Sequence, residues 1–201
     1  MVTRRIFLAA SAGVAAVSAS PHLARAQGGE AAEATQFIEE FGNKLVAIVN
    51  GGGSADEKRQ QMQPLIDNAV AVDEIATFVL GRFVRIATPE QRQKFVQLFH
   101  QVLIVNVTSK LGQFRGVTYS MTQTAVRNGE AFVGTLITRP NQKPNNVQWV
   151  VTMTSGRPQI VDVVAEGTSL RLTQRADYAS FLSRNNNNVD ALITALERQV
   201  S

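Results

Sequence analysis

Apolar residues between Arg92 and Phe114 recur on more than one side of a helix. The main stripe has the i, i+3, i+4, i+7, i+8 spacing of a buried helix face, and it consists of Phe95, Leu98, Phe99, Val102 and Leu103. A second apolar set lies beside this stripe and consists of Val96, Ile104, Val107 and Leu111, with Val105 adding to it. The pattern predicts a long helix that ends near Gly112 and is covered on several sides.

Helical spacing predicts two shorter helices near the start of the chain. The first spans residues 31–49, and the glycines at 51–53 end it. Ser54 and Glu57 have the spacing of a capping box, which predicts that the second helix begins there. Pro64 is expected to interrupt or kink that second helix, because proline removes a backbone hydrogen bond.

Two further start signals precede the long helix. Asp73 can cap a third helix that extends to about Phe83. Thr88, Pro89 and Gln91 then combine an N-cap residue, a proline in the first turn and a capping-box partner. We therefore expect the long helix to run from residue 88 to about residue 111.

The hydrophobic period changes from that of helices to that of strands after residue 116. Four segments rich in β-branched residues are separated by turn residues, and they span 117–127, 131–139, 147–155 and 159–167. Asn128 and Gly129 are a strong signal for a tight hairpin between the first two. The pattern predicts an antiparallel, twisted sheet of about four strands. On the third strand one face consists of Val147, Trp149, Val151 and Met153.

Helical spacing returns at residues 168–183 and again around Leu192, Ile193 and Leu196. The asparagines at 185–188 are read as a polar turn between these helices, and Asn188 can cap the last one. The order of helices, strands and helices predicts an α+β fold with the helices on one face of the sheet. No linker divides residues 27–201, so a single domain is expected.

The first 26 residues have the features of a cleavable export signal: a basic start, a short apolar run and an Ala-Arg-Ala ending at Ala26. Arg4 and Arg5 resemble a twin-arginine export signal, and an ordinary secretory signal is the alternative. The sequence thus predicts a mature chain that begins at Gln27 in the periplasm. The rest of the chain has 17 basic and 16 acidic residues without a basic run, which disfavours nucleic-acid binding.

Few residues are available for catalysis or metal binding. The chain has no cysteine, and His100 is the only histidine after the predicted signal. No metal site is therefore predicted, and His100 is interpreted as a structural residue. Asp162 and Glu166 are four residues apart on a predicted strand and could face the same side as a carboxylate pair. The alternative is that both bind turns or arginines.

The apolar surplus around the long helix has two interpretations. In the first, the helix is buried by protein on several sides and the core is filled. In the second, the helices and the sheet enclose an apolar cavity for a ligand. An enzyme that uses such a cavity would need His100 or the carboxylate pair to face it. Periodicity does not distinguish these alternatives.

Two blocks of the sequence, at 71–103 and 160–196, resemble the MlaC or toluene-tolerance family of periplasmic phospholipid-binding proteins. In the first block the matching residues are Val72, Asp73, Leu80, Gly81, Arg85, Ala87, Thr88, Gln91, Phe95 and Phe99. In the second they are Val161, Asp162, Val163, Glu166, Gly167, Ser169, Leu170, Arg175, Phe181 and Leu182. The chain departs from the family at Arg157 and Pro158, where many relatives have an aromatic residue, and near Asn106, where a tyrosine is common.

The resemblance implies a single lipid-binding domain at 27–201 whose apolar pocket holds phospholipid acyl chains. It implies a non-catalytic carrier without a cofactor that serves in the maintenance of outer-membrane lipid asymmetry. Its implied partners are an outer-membrane lipoprotein–porin complex and an inner-membrane ABC transporter with a lipid-binding shuttle domain. In this reading acyl chains cover the second stripe, and Asp162, Glu166 and Ser169 are framework residues.

The residues expected to line the pocket are Phe78, Phe83, Phe95, Phe99, Val102, Leu103, Val151 and Met153. Two alternatives for the function stay open. One is a pocket for another apolar ligand, such as a hopanoid. The other is an interaction module with a filled core.

Overall fold

The structure is a computed structural model that describes residues 21–200. Most of the predicted export signal, residues 1–20, lies outside the described residues. The helices are α1 (Pro21–Asn50), α2 (Ala55–Ala69), α3 (Val72–Leu80), α4 (Pro89–Ser109), α5 (Leu170–Arg184) and α6 (Val189–Val200). Short 3₁₀ turns span Gly81–Arg85 and Leu111–Phe114. The strands are β1 (Thr118–Arg127), β2 (Glu130–Thr138), β3 (Asn145–Thr152), β4 (Gln159–Ala165) and β5 (Thr168–Ser169).

These elements confirm the predicted α+β fold. The sheet is an antiparallel meander in the order β1-β2-β3-β4-β5, so it has one short strand more than the four predicted. Asn128 and Gly129 form the turn between β1 and β2 with positive φ angles of 53° and 77°. Arg127 and Glu130 pair on either side, which is the geometry of a two-residue hairpin loop.

Local start signals agree with the observed helices. Ser54 and Glu57 form the predicted capping box of α2, and the hydrogen bonds from Ser54 lower the pKa of the Glu57 carboxyl. Thr88 and Gln91 form the same motif at the start of α4. Pro64 does not interrupt α2, so the first of its two predicted effects, interruption or a kink, is wrong. It lies exposed inside a helix that continues to Ala69.

Two helix starts are placed differently from the prediction. Helix α1 begins at Pro21, ten residues before residue 31. Helix α3 begins at Val72 with Ala71 at its N-cap, so Asp73 lies within the first turn and does not cap the helix. A carboxylate there still interacts favourably with the positive end of the helix dipole. At α6 the prediction is confirmed, because the Asp190 backbone N–H donates to the Asn188 side-chain oxygen at 2.9 Å.

The sheet buries apolar residues on both faces. Val150 and Val151 are adjacent on β3 and point to opposite sides, yet both are fully buried. Val151 packs in a cluster with residues of α1, whereas Val150 packs with Val161 and Ala71. The sheet is thus covered in part on two faces, whereas the sequence predicted helices on one face.

The link between α2 and α3 lies along the edge of β4. Val70 forms a parallel bridge with Ile160, and the Ala71 N–H donates to the Ile160 carbonyl oxygen at 2.9 Å. Ala69 belongs to the cluster on the α1 side of the sheet and Ala71 to the cluster on the opposite side. The chain therefore crosses the sheet plane at this edge, which attaches the helices to the sheet.

Candidate functional site

Five of the eight predicted pocket residues lie in one cluster formed by α3, α4, α5 and α6, which we call the helical cluster. Its buried members are Ala76, Val79, Leu80, Phe83, Ala87, Phe95, Leu98, Phe99, Val102, Tyr178, Leu182, Val189, Leu192, Ile193 and Leu196. Phe78 packs against it and is half-buried. The Phe95 ring lies 6.0 Å from that of Phe99 and 5.8 Å from that of Tyr178, centroid to centroid. These contacts describe a packed core.

Tyr178 is the one phenol inside this cluster. Burial raises its pKa to about 12, and the negative charge of Asp177 acts in the same direction. The neutral form is favoured because a phenolate would lose its hydration among apolar side chains. The helical cluster is therefore a weakly polar environment even where it includes an ionisable group.

Val151 and Met153 lie in a second cluster, between α1 and the sheet, which we call the α1–sheet cluster. Its buried members are Ala34, Ile38, Phe41, Ala69, Ala131, Val133, Val151 and Ile160. Trp149, Met153 and Val163 pack against it and are half-buried. The Trp149 ring meets the Phe41 ring edge-on at 5.4 Å, and its Nε1 donates to the Thr135 hydroxyl at 3.0 Å.

Leu103 lies in a third cluster, between α1, α2 and α4, which we call the α1–α2–α4 cluster. Its buried members are Val49, Met62, Ile66, Ile104, Leu111 and Val117. Leu103 of the main stripe and Val107 of the second stripe pack against it, whereas Val96 of the second stripe packs against the helical cluster. Residues of α1 and α2 thus cover most of the second stripe, where the resemblance implied acyl chains.

The eight predicted residues therefore do not meet in one group, but the three clusters are continuous. Leu45, Leu65 and Val70 pack against both the α1–sheet cluster and the α1–α2–α4 cluster. Val72 packs against the latter and against the helical cluster. An apolar interior thus extends from the sheet through α1 and α2 to both sides of α4. Sequence periodicity alone does not show to which of the three clusters an apolar residue belongs.

His100 has a structural partner. Its Nε2 lies 2.6 Å from Asp67 Oδ1, so the contact joins α4 to α2. Both side chains are partly exposed, at 32% and 40% of their full area. This agrees with the interpretation of His100 as a hydrogen-bonded structural residue. No sequence signal identified Asp67, which is 33 residues away.

Asp162 is the centre of a buried polar network at the start of α5. Its Oδ1 accepts from the backbone N–H groups of Val163 at 2.8 Å and Arg171 at 2.9 Å. Its Oδ2 accepts from the Ser169 hydroxyl at 2.5 Å and lies 3.5 Å from Arg171 Nε. The Arg171 guanidinium also donates to Glu130 at 3.2 Å. The carboxylate thus joins β4, β5 and α5 with both oxygens occupied.

Glu166 does not pair with Asp162, so the carboxylate-pair alternative is wrong and the reading of both as turn and framework residues agrees with the structure. Strand β4 ends at Ala165, and Glu166 and Gly167 form a turn with φ angles of 50° and 79°. The Glu166 side chain turns to Asn146, whose backbone N–H donates to it at 3.2 Å. The positive φ angles end the strand, so alternation along it no longer determines where Glu166 points.

Comparison with known proteins connects this fold to a family. Residues 39–198 match the family model described as MlaC protein. The chain belongs to the MlaC family. A solved structure with a similar fold is a phospholipid-binding protein from Ralstonia solanacearum in complex with a phospholipid. It has a TM-score of 0.74 and 19% identity, and the match covers 84% of this chain and 97% of that one.

Gly81 and Arg175, two of the positions that match the MlaC family, meet where the end of α3 contacts α5. Gly81 has a φ of +58°, and a Cβ at this position would lie 3.0 Å from Arg175 Nε. The Arg171 and Arg175 guanidinium groups lie 4.9 and 4.8 Å from the centre of the Phe78 ring. Phe78, predicted as a pocket residue, is thus in contact with two cations. Arg171 was not identified from the sequence, because its partners are distant along the chain.

Two surface cavities lie along α5 of this MlaC-family chain. One has a volume of about 330 Å³ and lies between the Gly81–Arg85 turn and α5. The other, about 460 Å³, lies between α5 and α6. Of the predicted pocket residues, only Phe83 lines either cavity.

Within residues 21–200 we find no cluster of three or more potential metal ligands. Over the same range, every helix is too short or too polar to cross a bilayer.

Proposed function

We propose that this chain binds the acyl chains of a phospholipid in the apolar interior between the sheet, α1, α2 and α4. The observation that carries this proposal is membership of the MlaC family over residues 39–198. The similar fold of a protein solved in complex with a phospholipid supports it. Each methylene group transferred from water to such an interior contributes about 0.8 kcal/mol.

The shared residues of the clusters indicate where acyl chains would insert. Leu45, Leu65 and Val70 are half-buried at the boundary of the α1–sheet and α1–α2–α4 clusters. Leu103 and Met153 are also half-buried and border the same interior. Half-buried apolar side chains exchange contacts with less loss of packing than fully buried ones. We therefore place the acyl site along this boundary, with α1 and α2 moving to admit the chains.

The proposal divides the predicted pocket residues into two groups. Leu103, Val151 and Met153 border the proposed acyl site. The remaining five are part of the packed helical cluster and act as its framework: Phe78, Phe83, Phe95, Phe99 and Val102. Binding rather than catalysis fits the polar residues, because His100 contacts Asp67 and Asp162 has partners on both oxygens.

The first test is mass spectrometry on a solvent extract of the protein purified without detergent. Near-stoichiometric diacyl phospholipid supports the proposal. A hopanoid or another apolar compound in the extract would support the apolar site but identify a different ligand for it. A clean extract from folded protein that stays empty after incubation with phospholipid vesicles would contradict lipid binding and favour the interaction module.

Variants locate the site. Met153→Gln and Leu103→Gln replace half-buried apolar groups by polar ones of similar size, and each should lower the affinity for lipid roughly tenfold. Leu172→Gln is the matched control, because Leu172 is 57% exposed. Equal lipid loads in all three variants would place the ligand elsewhere. Charged substitutions of Val151 or Phe99 are less informative, since both are buried and a charge there would unfold the protein.

We also propose that the chain is a periplasmic carrier exported by the signal at residues 1–26. It would exchange lipid with an outer-membrane lipoprotein–porin complex and with an inner-membrane ABC transporter that has a lipid-binding shuttle domain. Fractionation of cells that express the full chain tests the location, and replacement of Arg4 and Arg5 by lysine tests the twin-arginine route. Radiolabelled lipid passed to purified partner complexes tests the exchange. Retention of label on the chain would contradict it.

A further inference from the structure

The groove between the Gly81–Arg85 turn and α5 has cationic groups over an apolar floor. Arg82 lies on one side of this cavity of about 330 Å³, and Arg175 lies on the other. The hydroxyls of Ser180 and Ser183 line it as well, and no acidic residue does. The groove shares no lining residue with the acyl site proposed above, because its apolar residues pack in the helical cluster.

Neither arginine has a carboxylate partner among residues 21–200. The Arg82 guanidinium lies 5.0 Å from the Phe83 ring centre, and its Nη2 donates to Ser183 Oγ at 3.4 Å. The Arg175 guanidinium lies over the Phe78 ring. Each cation is positioned by an aromatic face and keeps most of its N–H donors free for a ligand.

Gly81 favours this arrangement. A side chain there would bring a Cβ to 3.0 Å from Arg175 Nε, so glycine lets the guanidinium lie against the backbone turn without being displaced. The positive φ of 58° at Gly81 also directs the chain so that Arg82 follows beside α5. The local backbone therefore brings two unpaired guanidinium groups to one groove.

We propose that Arg82 and Arg175, with the Ser180 and Ser183 hydroxyls, form a binding site for a phosphate-type oxyanion. A planar guanidinium donates two parallel hydrogen bonds to an oxyanion. A bidentate pair with one arginine uses both oxygens of a carboxylate. A phosphate has further oxygens, which can accept hydrogen bonds from a second arginine and from hydroxyls. The phosphate could belong to a lipid head group or be the free ion, and the groove chemistry is the same for both.

The binding test is calorimetric titration of the purified protein with inorganic phosphate at low ionic strength. Arg82→Gln and Arg175→Gln should each weaken binding about tenfold, since each removes a charge-assisted pair. Ser180→Asp keeps both arginines and places a negative charge on the exposed rim, so it should also weaken binding. Arg85→Gln is the matched control, because Arg85 is on the same turn but does not line the groove.

Competition by vesicles identifies the source of the phosphate. Displacement of inorganic phosphate by phosphatidylglycerol vesicles, lost in Ser180→Asp, assigns the site to a lipid head group. Saturable phosphate binding without displacement assigns it to the free ion. The proposal is overturned if phosphate does not bind, if binding is equal in the wild type and the folded Ser180→Asp variant, or if a glutamate-rich peptide binds where phosphate does not. These readouts do not depend on whether acyl chains occupy the interior.

Discussion

Replacement of Asp162 by alanine tests whether this carboxylate is structural. The substitution leaves two backbone N–H groups and the Ser169 hydroxyl without their acceptor, and it leaves Arg171 with Glu130 as its remaining carboxylate. The Asp162 side chain is only 4% exposed, so water cannot easily replace the lost oxygens. We expect a loss of about 3–5 kcal/mol in the free energy of unfolding, or about 10 °C in the melting temperature.

Asp162→Asn provides a graded comparison. The amide keeps one oxygen for the N–H groups of Val163 and Arg171, but it places an NH₂ group where Oδ2 accepted from Ser169 and faced the Arg171 guanidinium. The expected loss is about 1–2 kcal/mol, because fewer donors are left unsatisfied.

Urea unfolding followed by circular dichroism measures both losses, and constant m-values would show that the comparison is valid. Asp67→Ala is the matched control, since His100 is the one hydrogen-bonding partner of this exposed acid within residues 21–200 and its replacement should cost about 0.5 kcal/mol. A loss in Asp162→Ala as small as that in the control would refute the reasoning. The folded Asp162→Asn protein should keep its lipid load, and an empty protein would point instead to a direct contact between Asp162 and the ligand.

Three further predictions follow from single contacts. Gly81→Ala should cost about 1–3 kcal/mol in thermal unfolding, because it combines a positive φ with a Cβ 3.0 Å from Arg175 Nε, and wild-type stability would contradict the observed backbone. For Tyr178 the folded pKa of about 12 exceeds the usual value of 10.0, so its neutral form contributes stability below pH 10 that is lost as the pH rises to about 12. Tyr178→Phe should abolish that part of the loss in alkaline unfolding, and an unchanged profile would count against it. A double-mutant cycle of His100→Ala and Asp67→Ala should give a coupling energy of about 0.5 kcal/mol near neutral pH, and a coupling of zero would show that the 2.6 Å contact does not stabilise the fold.

Features that depend on neighbouring residues were predictable from the sequence. The capping boxes at Ser54 and Thr88 and the hairpin at Asn128 are present where their motifs lie. Each involves side chains within three residues of the backbone groups they contact, so the chain has few alternatives. The same signals were insufficient at Pro64, where the rest of α2 continues the helix despite the missing N–H.

The composition of the candidate site was predicted only in part. The apolar surplus of α4 was visible as two stripes, but the structure assigns Phe95 and Phe99 to the helical cluster and Leu103 to another. Periodicity gives the direction of a side chain around its own helix. It does not give the identity of the element on the other side, which here is α3, α5 and α6 for Phe95 and Phe99 but α1 and α2 for Leu103 of the same stripe.

The sequence by itself determined the order of the elements, the starts of α2, α4 and α6, the hairpin turn at Asn128 and the shortage of catalytic groups. The tertiary structure decided which distant residues meet. The contact of His100 with Asp67 spans 33 residues, and that of Arg171 with Glu130 spans 41. The division of the apolar residues into three connected clusters and the approach of Arg82 and Arg175 to one groove also depend on the packing of distant elements. The physical reason is that local structure depends on hydrogen bonds and torsions within a few residues, whereas a site depends on how whole elements pack.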